Sequence, residues 1–101
     1  MVSCDFIDIS DGNWHTVPQN AVNIMIEANG TFGPTTVQTS HNGVLAHGVG
    51  TVNPGGAGEQ DHYKLDPNQD IIMNCVRIKP DDLPIFLEGE YIRIYFNRIK
   101  L

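Results

Sequence analysis

The sequence predicts an all-β protein, an antiparallel β-sandwich or jelly roll of about eight short strands, and three observations carry that prediction. Apolar residues recur with a period of two and nowhere with the period of a helix. Turn chemistry punctuates the chain at Ser10-Asp11-Gly12-Asn13, Asn29-Gly30, His41-Asn42-Gly43, Asp66-Pro67-Asn68 and Glu88-Gly89. Ten glycines and six prolines in 101 residues complete the pattern. That length, with no internal repeat or linker, fits a single domain over residues 1–101.

The elements follow in order. Residues 4–9 and 14–17 are short candidates on either side of the first turn. Over 22–28, Val22, Ile24, Ile26 and Ala28 fall on one strand face and Asn23, Met25 and Glu27 on the other. Asn29-Gly30-Thr31 matches a glycosylation sequon, but Asn-Gly is first of all a tight-turn dipeptide. Residues 35–40 and 43–48 read as a hairpin. Four of the nine residues from Asn53 to Asp61 are glycine or proline, which predicts a mobile loop before the strand at 62–65. In 70–78 both alternate sets are apolar, Ile72/Val76/Ile78 and Ile71/Met73/Cys75, as in a central strand covered on two faces. Pro80 and Pro84 limit any helix between them to one turn. The last strand, from Tyr91, points Ile92, Ile94 and Phe96 one way and Tyr91, Arg93, Tyr95 and Asn97 the other. Its edge or outer face suits contact with another subunit, so a homo-oligomer is expected.

Twelve acids against six bases give a net charge of −6, distributed unevenly. Residues 1–70 hold eight acids and one base, Lys64, or −7; residues 71–101 hold four acids and five bases, or +1. Such a balance does not attract phosphates, so nucleic acid and membrane insertion are not expected. Cys4 and Cys75 lack the spacing of a zinc or redox pair and are open to being free or bridged, and Cys75 reads as a buried free thiol within an apolar run. Met1–Ser10 carries Asp5 and Asp8 and no apolar core of a signal peptide, which leaves the compartment open between cytoplasmic and exported.

Several groups carry candidate chemistry. Asp66, Asn68 and Asp70 set oxygen-bearing side chains at alternate positions, as calcium requires. Ile71 stands where an EF-hand has glycine and no closing glutamate follows, so an Asx and proline turn is the alternative. A hairpin closed at Gly43 would bring His41 towards His47, and His62 arriving from the next strand would complete a metal trio of cupin-like type. Motifs of nucleophilic catalysis and of phosphate cradling are missing, and a non-enzymatic protein is expected. Sugar sites combine an aromatic platform with Asp, Asn and His groups on loops. Trp14 or Phe32 would supply the platform and His41, Asn42, Asp61 and His62 the hydroxyl partners; a core plug is the other reading of the single tryptophan.

Residues 14–37, WHTVPQNAVNIMIEANGTFGPTTV, resemble the opening of the calcium-dependent galactophilic bacterial lectins, with the local match at Ala28-Asn29-Gly30-Thr31-Phe32-Gly33-Pro34-Thr35. The resemblance implies a small oligomeric β-sandwich that binds galactosides through calcium without catalysis. That family's calcium loop has no counterpart after Tyr91, so calcium as a cofactor would have to draw on Asp66, Asn68 and Asp70. The sequence thus leads to a lectin-like glycan-binding protein, multivalent through homo-oligomerisation. The alternatives are an assembly subunit of a phage or secretion apparatus, pairing through its terminal strand, and a small metalloenzyme using His41, His47 and His62.

Overall fold

The computed structural model describes residues 2–19, 21–65 and 75–99. The strands are β1 (Val2–Asp8), β2 (His15–Thr16), β3 (Ala21–Asn29), β4 (Thr35–Ser40), β5 (His47–Val52), β6 (Gln60–Leu65), β7 (Cys75–Ile78) and β8 (Tyr91–Ile99). Among the described residues a single 3-10 turn, Pro80–Asp82, lies where the sequence admits one between Pro80 and Pro84. Two four-stranded sheets form, β1-β8-β3-β6 and β2-β7-β4-β5, and every pairing described is antiparallel. The architecture is the all-β sandwich that alternation predicts.

Alternation explains the core. Ile24, Ile26, Ala28, Ile92, Ile94 and Phe96 from the first sheet meet Val37, Val52, Val76 and Ile78 from the second in one buried cluster. Burying an aliphatic side chain of this size contributes about 1.5–3 kcal/mol, and this cluster is where most of the fold's stability resides. Trp14 is not part of it.

In four places the structure departs from expectation. Val22 does not join Ile24 inside. Between Val22 and Met25 the pairing with β8 slips by one residue, and Asn23 adopts a positive φ of 53° in the bulge. One extra residue inverts the parity of the strand, so Ala21 is buried and Val22 is only half-buried. The second hairpin strand begins at His47 rather than at residue 43, because Asn42 and Ser40 gather the connecting backbone into a loop. Within β7 only Val76 and Ile78 are buried, while Cys75 and Arg77 are half-buried on the other face. Residues 70–74 lie outside those described. Lastly, β8 is an interior strand, paired with β1 on one side and β3 on the other, and offers no free edge.

One end of the sandwich is fastened by side chains. There Glu90 accepts the Thr31 amide (2.6 Å) and hydroxyl (2.7 Å) and the Leu87 amide (2.9 Å), and Asp82 accepts the Thr36 amide at 3.0 Å. Gly30 is required beside this staple, since a Cβ there would lie 2.7 Å from the Phe32 ring and 2.8 Å from the Glu90 carboxylate. The β5–β6 connection is also anchored: Pro54 is buried, and the Asn53 amide donates to Asp61 at 2.7 Å. Along the side of the sandwich the Tyr63 ring lies over Gly50, where any Cβ would meet it at 2.7 Å.

Candidate functional site

Antiparallel register writes rows of side chains across a sheet, and on the outer face of β1-β8-β3-β6 two of these rows are chemically distinctive. One runs Asp8, Arg93, Glu27, His62 across the four strands. The next runs Phe6, Tyr95, Met25, Lys64. Tyr91 flanks the first row from the other side, opposite Asn29.

These side chains form a connected network. The Arg93 guanidinium carbon sits 3.7 Å from the Tyr91 ring centre and 4.7 Å from that of Phe6, two cation–π contacts with one charge. Its Nη1 donates to the Tyr95 hydroxyl at 3.4 Å, and that hydroxyl donates to Glu27 Oε1 at 3.2 Å. His62 Nε2 is 3.2 Å from Glu27 Oε2, and the Tyr91 hydroxyl bonds to the same carboxylate. The Phe6 and Tyr95 rings lie 5.6 Å apart, tilted by 38°.

The electrostatics follow from that wiring. Burial works to raise the Glu27 pKa, but hydrogen bonds from Tyr91, His62 and Tyr95 outweigh it and hold the carboxyl below its ordinary 4.5. The Tyr91 phenol is raised, first by its hydrogen bond to Glu27 and then by burial. Glu27 is the hub, with a side chain only 13% exposed. Phe6 is the open member, 53% exposed beside the ordered polar groups.

The residues singled out from sequence do not gather at one place. Trp14 lies on the outer face of the other sheet, with the Arg77 guanidinium 4.2 Å from its ring centre and Arg77 Nε donating to Gln38 at 3.0 Å. Phe32 packs edge-on against Phe86, centres 5.1 Å apart, just before β4. His41 and Asn42 follow the other end of β4, a strand whose six residues span about 20 Å. Asn42 Oδ1 accepts the Val44 and Leu45 amides at 2.8 and 3.0 Å and so builds its own loop. Asp61 is engaged by the Asn53 and His62 amides. His41 and His47 do approach, with ring centres 6.4 Å apart, but His62 is in the other sheet beside Glu27. Among the described residues no group of three or more His, Cys, Asp or Glu side chains could hold a metal ion. Asp66, Asn68 and Asp70, proposed for calcium, lie outside the described residues. Cys4 and Cys75 are free, one exposed and one half-buried.

His62 alone of the sequence candidates belongs to the network. Phe6, Glu27, Tyr91, Arg93 and Tyr95 were missed as a group, although the alternation of 91–97 already puts two tyrosines and an arginine on one face. What the sequence lacks is the register that sets Phe6 and Glu27 beside them. Comparisons with protein-family models, with curated proteins and with solved structures return no match.

Proposed function

We propose that this protein is a non-enzymatic, lectin-like carbohydrate-binding domain whose glycan lies on the outer face of β1-β8-β3-β6. The observation that carries the reading is the half-open Phe6 ring set beside an ordered row of Arg93, Glu27 and His62. A pyranose offers an apolar C–H face and a rim of hydroxyls. Phe6, extended by Tyr95, would take the first, and Arg93 and His62 would donate to the second. Glu27 accepts from its own neighbours and would hold the donors in place. Interlocking these side chains before a ligand arrives lowers the entropy lost on binding. Single sugar sites bind weakly, and display from a symmetric oligomer would raise avidity by about 10²–10⁴. Galactosides and calcium dependence remain the specific expectation from the lectin resemblance.

The test is a glycan array probed with the purified chain in calcium and again in chelator, repeated with Phe6→Ala. Glycan binding that Phe6→Ala weakens by about tenfold or more, with an unchanged melting temperature, supports this face as the site. Binding that Phe6→Ala leaves intact removes the site, and absence of binding in both conditions removes the lectin reading. Loss in chelator alone would direct attention to Asp66, Asn68 and Asp70. An assembly subunit is the second reading, favoured by Leu83, Ile85 and Leu87, which stand 42%, 91% and 61% exposed at alternate positions of one segment. Large homo-oligomers that bind no glycan would select it.

A further inference from the structure

We infer that the outer face of β2-β7-β4-β5 carries a second binding site, for a hydroxyl-rich carboxylate of the sugar-acid class, whose carboxylate seats on the Arg77 guanidinium. The site belongs to the other sheet from the glycan face and does not rest on that proposal.

Register aligns the parts. Arg77 pairs with Gln38 and Gln38 with Gly48, and the pairing of His15 with Val76 sets Trp14 at the end of the same row. Val76 and Ile78 flank Arg77, and Val37 and Thr39 flank Gln38; all four are buried, so Arg77 and Gln38 face outward. The guanidinium carbon lies 4.2 Å from the Trp14 ring centre, and Nε donates to Gln38 Oε1 at 3.0 Å. One contact sets the position of the guanidinium and the other its rotation. With Nε engaged, the edge formed by Nη1 and Nη2 presents two parallel donors, the fork that matches the two oxygens of a carboxylate.

The neighbours of that fork are donors and hydroxyls. Gln38 accepts through Oε1, which leaves its NH₂ group to donate. At Gly48 an added Cβ would meet only a Thr36 methyl, at 3.8 Å, so the row is open at that end. The next row sets Thr36 opposite Thr51 with their hydroxyls 3.4 Å apart, each able to donate or accept. Lys79 continues this edge of the sheet past Arg77, its amide donating to the Thr36 carbonyl at 2.8 Å.

The acids closest along the chain are already engaged. Asp11 is taken by His15 at 2.7 Å and the Asn13 amide at 2.9 Å. Asp82 accepts the Thr36 amide at 3.0 Å, and hydrogen bonding to Thr36, with a smaller contribution from the charge of Lys79, holds it below the usual carboxylate value. The ion pairs among the described residues join His15 to Asp11, His62 to Glu27 and Arg98 to Asp5, and none includes Arg77. On a chain of net charge −6, an arginine oriented by an indole and an amide, with no carboxylate paired to it among the described residues, is poised to take one from a ligand.

Charge selects the ligand class. One guanidinium neutralises the single charge of a carboxylate, whereas a phosphate monoester carries about 1.5–2 at neutral pH and would leave an excess beside an acidic protein. The Gln38 amide and the Thr36 and Thr51 hydroxyls complement a skeleton that itself bears hydroxyls.

Trp14 is the only tryptophan, so its indole signal reports this face alone. The experiment is NMR titration of the full chain with sodium glucuronate at pH 7.5 and constant ionic strength, following the Trp14 indole and the Gln38 side-chain amide, with glucose and glucose 1-phosphate as parallel arms. Glucuronate should shift both signals saturably, glucose should not, and glucose 1-phosphate should bind more weakly. Arg77→Lys keeps the charge but loses the fork and should weaken glucuronate binding by about tenfold or more. Gln38→Leu, which releases Nε, should weaken it by about threefold or more, and the melting temperature checks that both variants are folded. Arg98→Gln removes a positive charge from the other sheet and should leave binding unchanged. No saturable shift with glucuronate, unchanged binding in Arg77→Lys, or an equal loss in Arg98→Gln would overturn the site. An equal response to glucose, or tighter binding of glucose 1-phosphate, would overturn the ligand class.

Discussion

The two outer faces of the sandwich are built by the same rule and furnished differently. On β2-β7-β4-β5 the ordered polar contacts among the described residues are few: Arg77 bridges Trp14 and Gln38, and the hydroxyls of Thr36 and Thr51 lie 3.4 Å apart. On β1-β8-β3-β6 one carboxylate gathers two tyrosines and a histidine, and one guanidinium is held between two rings. A two-layer fold requires only that inner faces be apolar and edges be managed. Nothing in that requirement calls for an ordered network on the side turned to solvent. The richer face is where structure exceeds what folding demands, and that excess locates the candidate site.

The sharpest way to break this comparison is to ask whether the network holds the fold. Ile26→Ala, in the buried face of the same strand as Glu27, should lower stability by about 2–5 kcal/mol, read by chemical denaturation. If Arg93→Ala lowered it as much, the network would be structural and its status as a site would fall. Next in size, Arg93→Ala should lower the melting temperature more than Arg77→Ala does. Arg93 contacts two rings and a phenol that itself bonds to Glu27, whereas Arg77 contacts one ring and one amide. Equal shifts would mean that the two faces differ in appearance only.

How much of this was legible in the sequence depends on the range of the interaction. Alternation and turn chemistry are local, and they place most of the strands, with 35–40 at its observed bounds and Ile92/Ile94/Phe96 on the buried side, while the strand expected at 43–48 shares only His47 and Gly48 with β5. A bulge is also local in form but not in cause. Nothing in Ala21-Val22-Asn23-Ile24 announces that Asn23 takes a positive φ, so Val22 was assigned to the wrong face. The network fails for a third reason. Phe6, Glu27 and Arg93 come from three strands up to 87 positions apart, and only the register of β1 and β3 on β8 unites them. Residues with the chemistry of a sugar site, Phe32, Asn42 and Asp61, turned out to be fastening the fold or their own turns. Residue type announces chemistry, but hydrogen-bond partners decide whether that chemistry is free for a ligand.

The smallest effect concerns pH and asks which group organises the richer face. The folded Glu27 carboxyl is held below 4.5, so its ionised form is favoured by folding. Such a group contributes stability that is fully present above its unfolded value and disappears as pH falls through its lowered folded value. Glu27→Gln removes that contribution, because an amide keeps the shape but not the charge that Tyr91, Tyr95 and His62 bond to. The variant should melt below the native protein at pH 7, and the gap should narrow steadily as pH drops from about 5 to about 3. Arg93, His62 and the two tyrosines are the charged or titratable neighbours of Glu27 in the network. Tyr91, whose phenol is raised, stays neutral throughout that window and Arg93 stays charged, so neither titrates with it. A gap that stayed constant over the window would show that Glu27 acts there by shape alone. The charge that arranges the donors would then have to be sought in Asp8, which lies opposite Arg93 on the far side of the row.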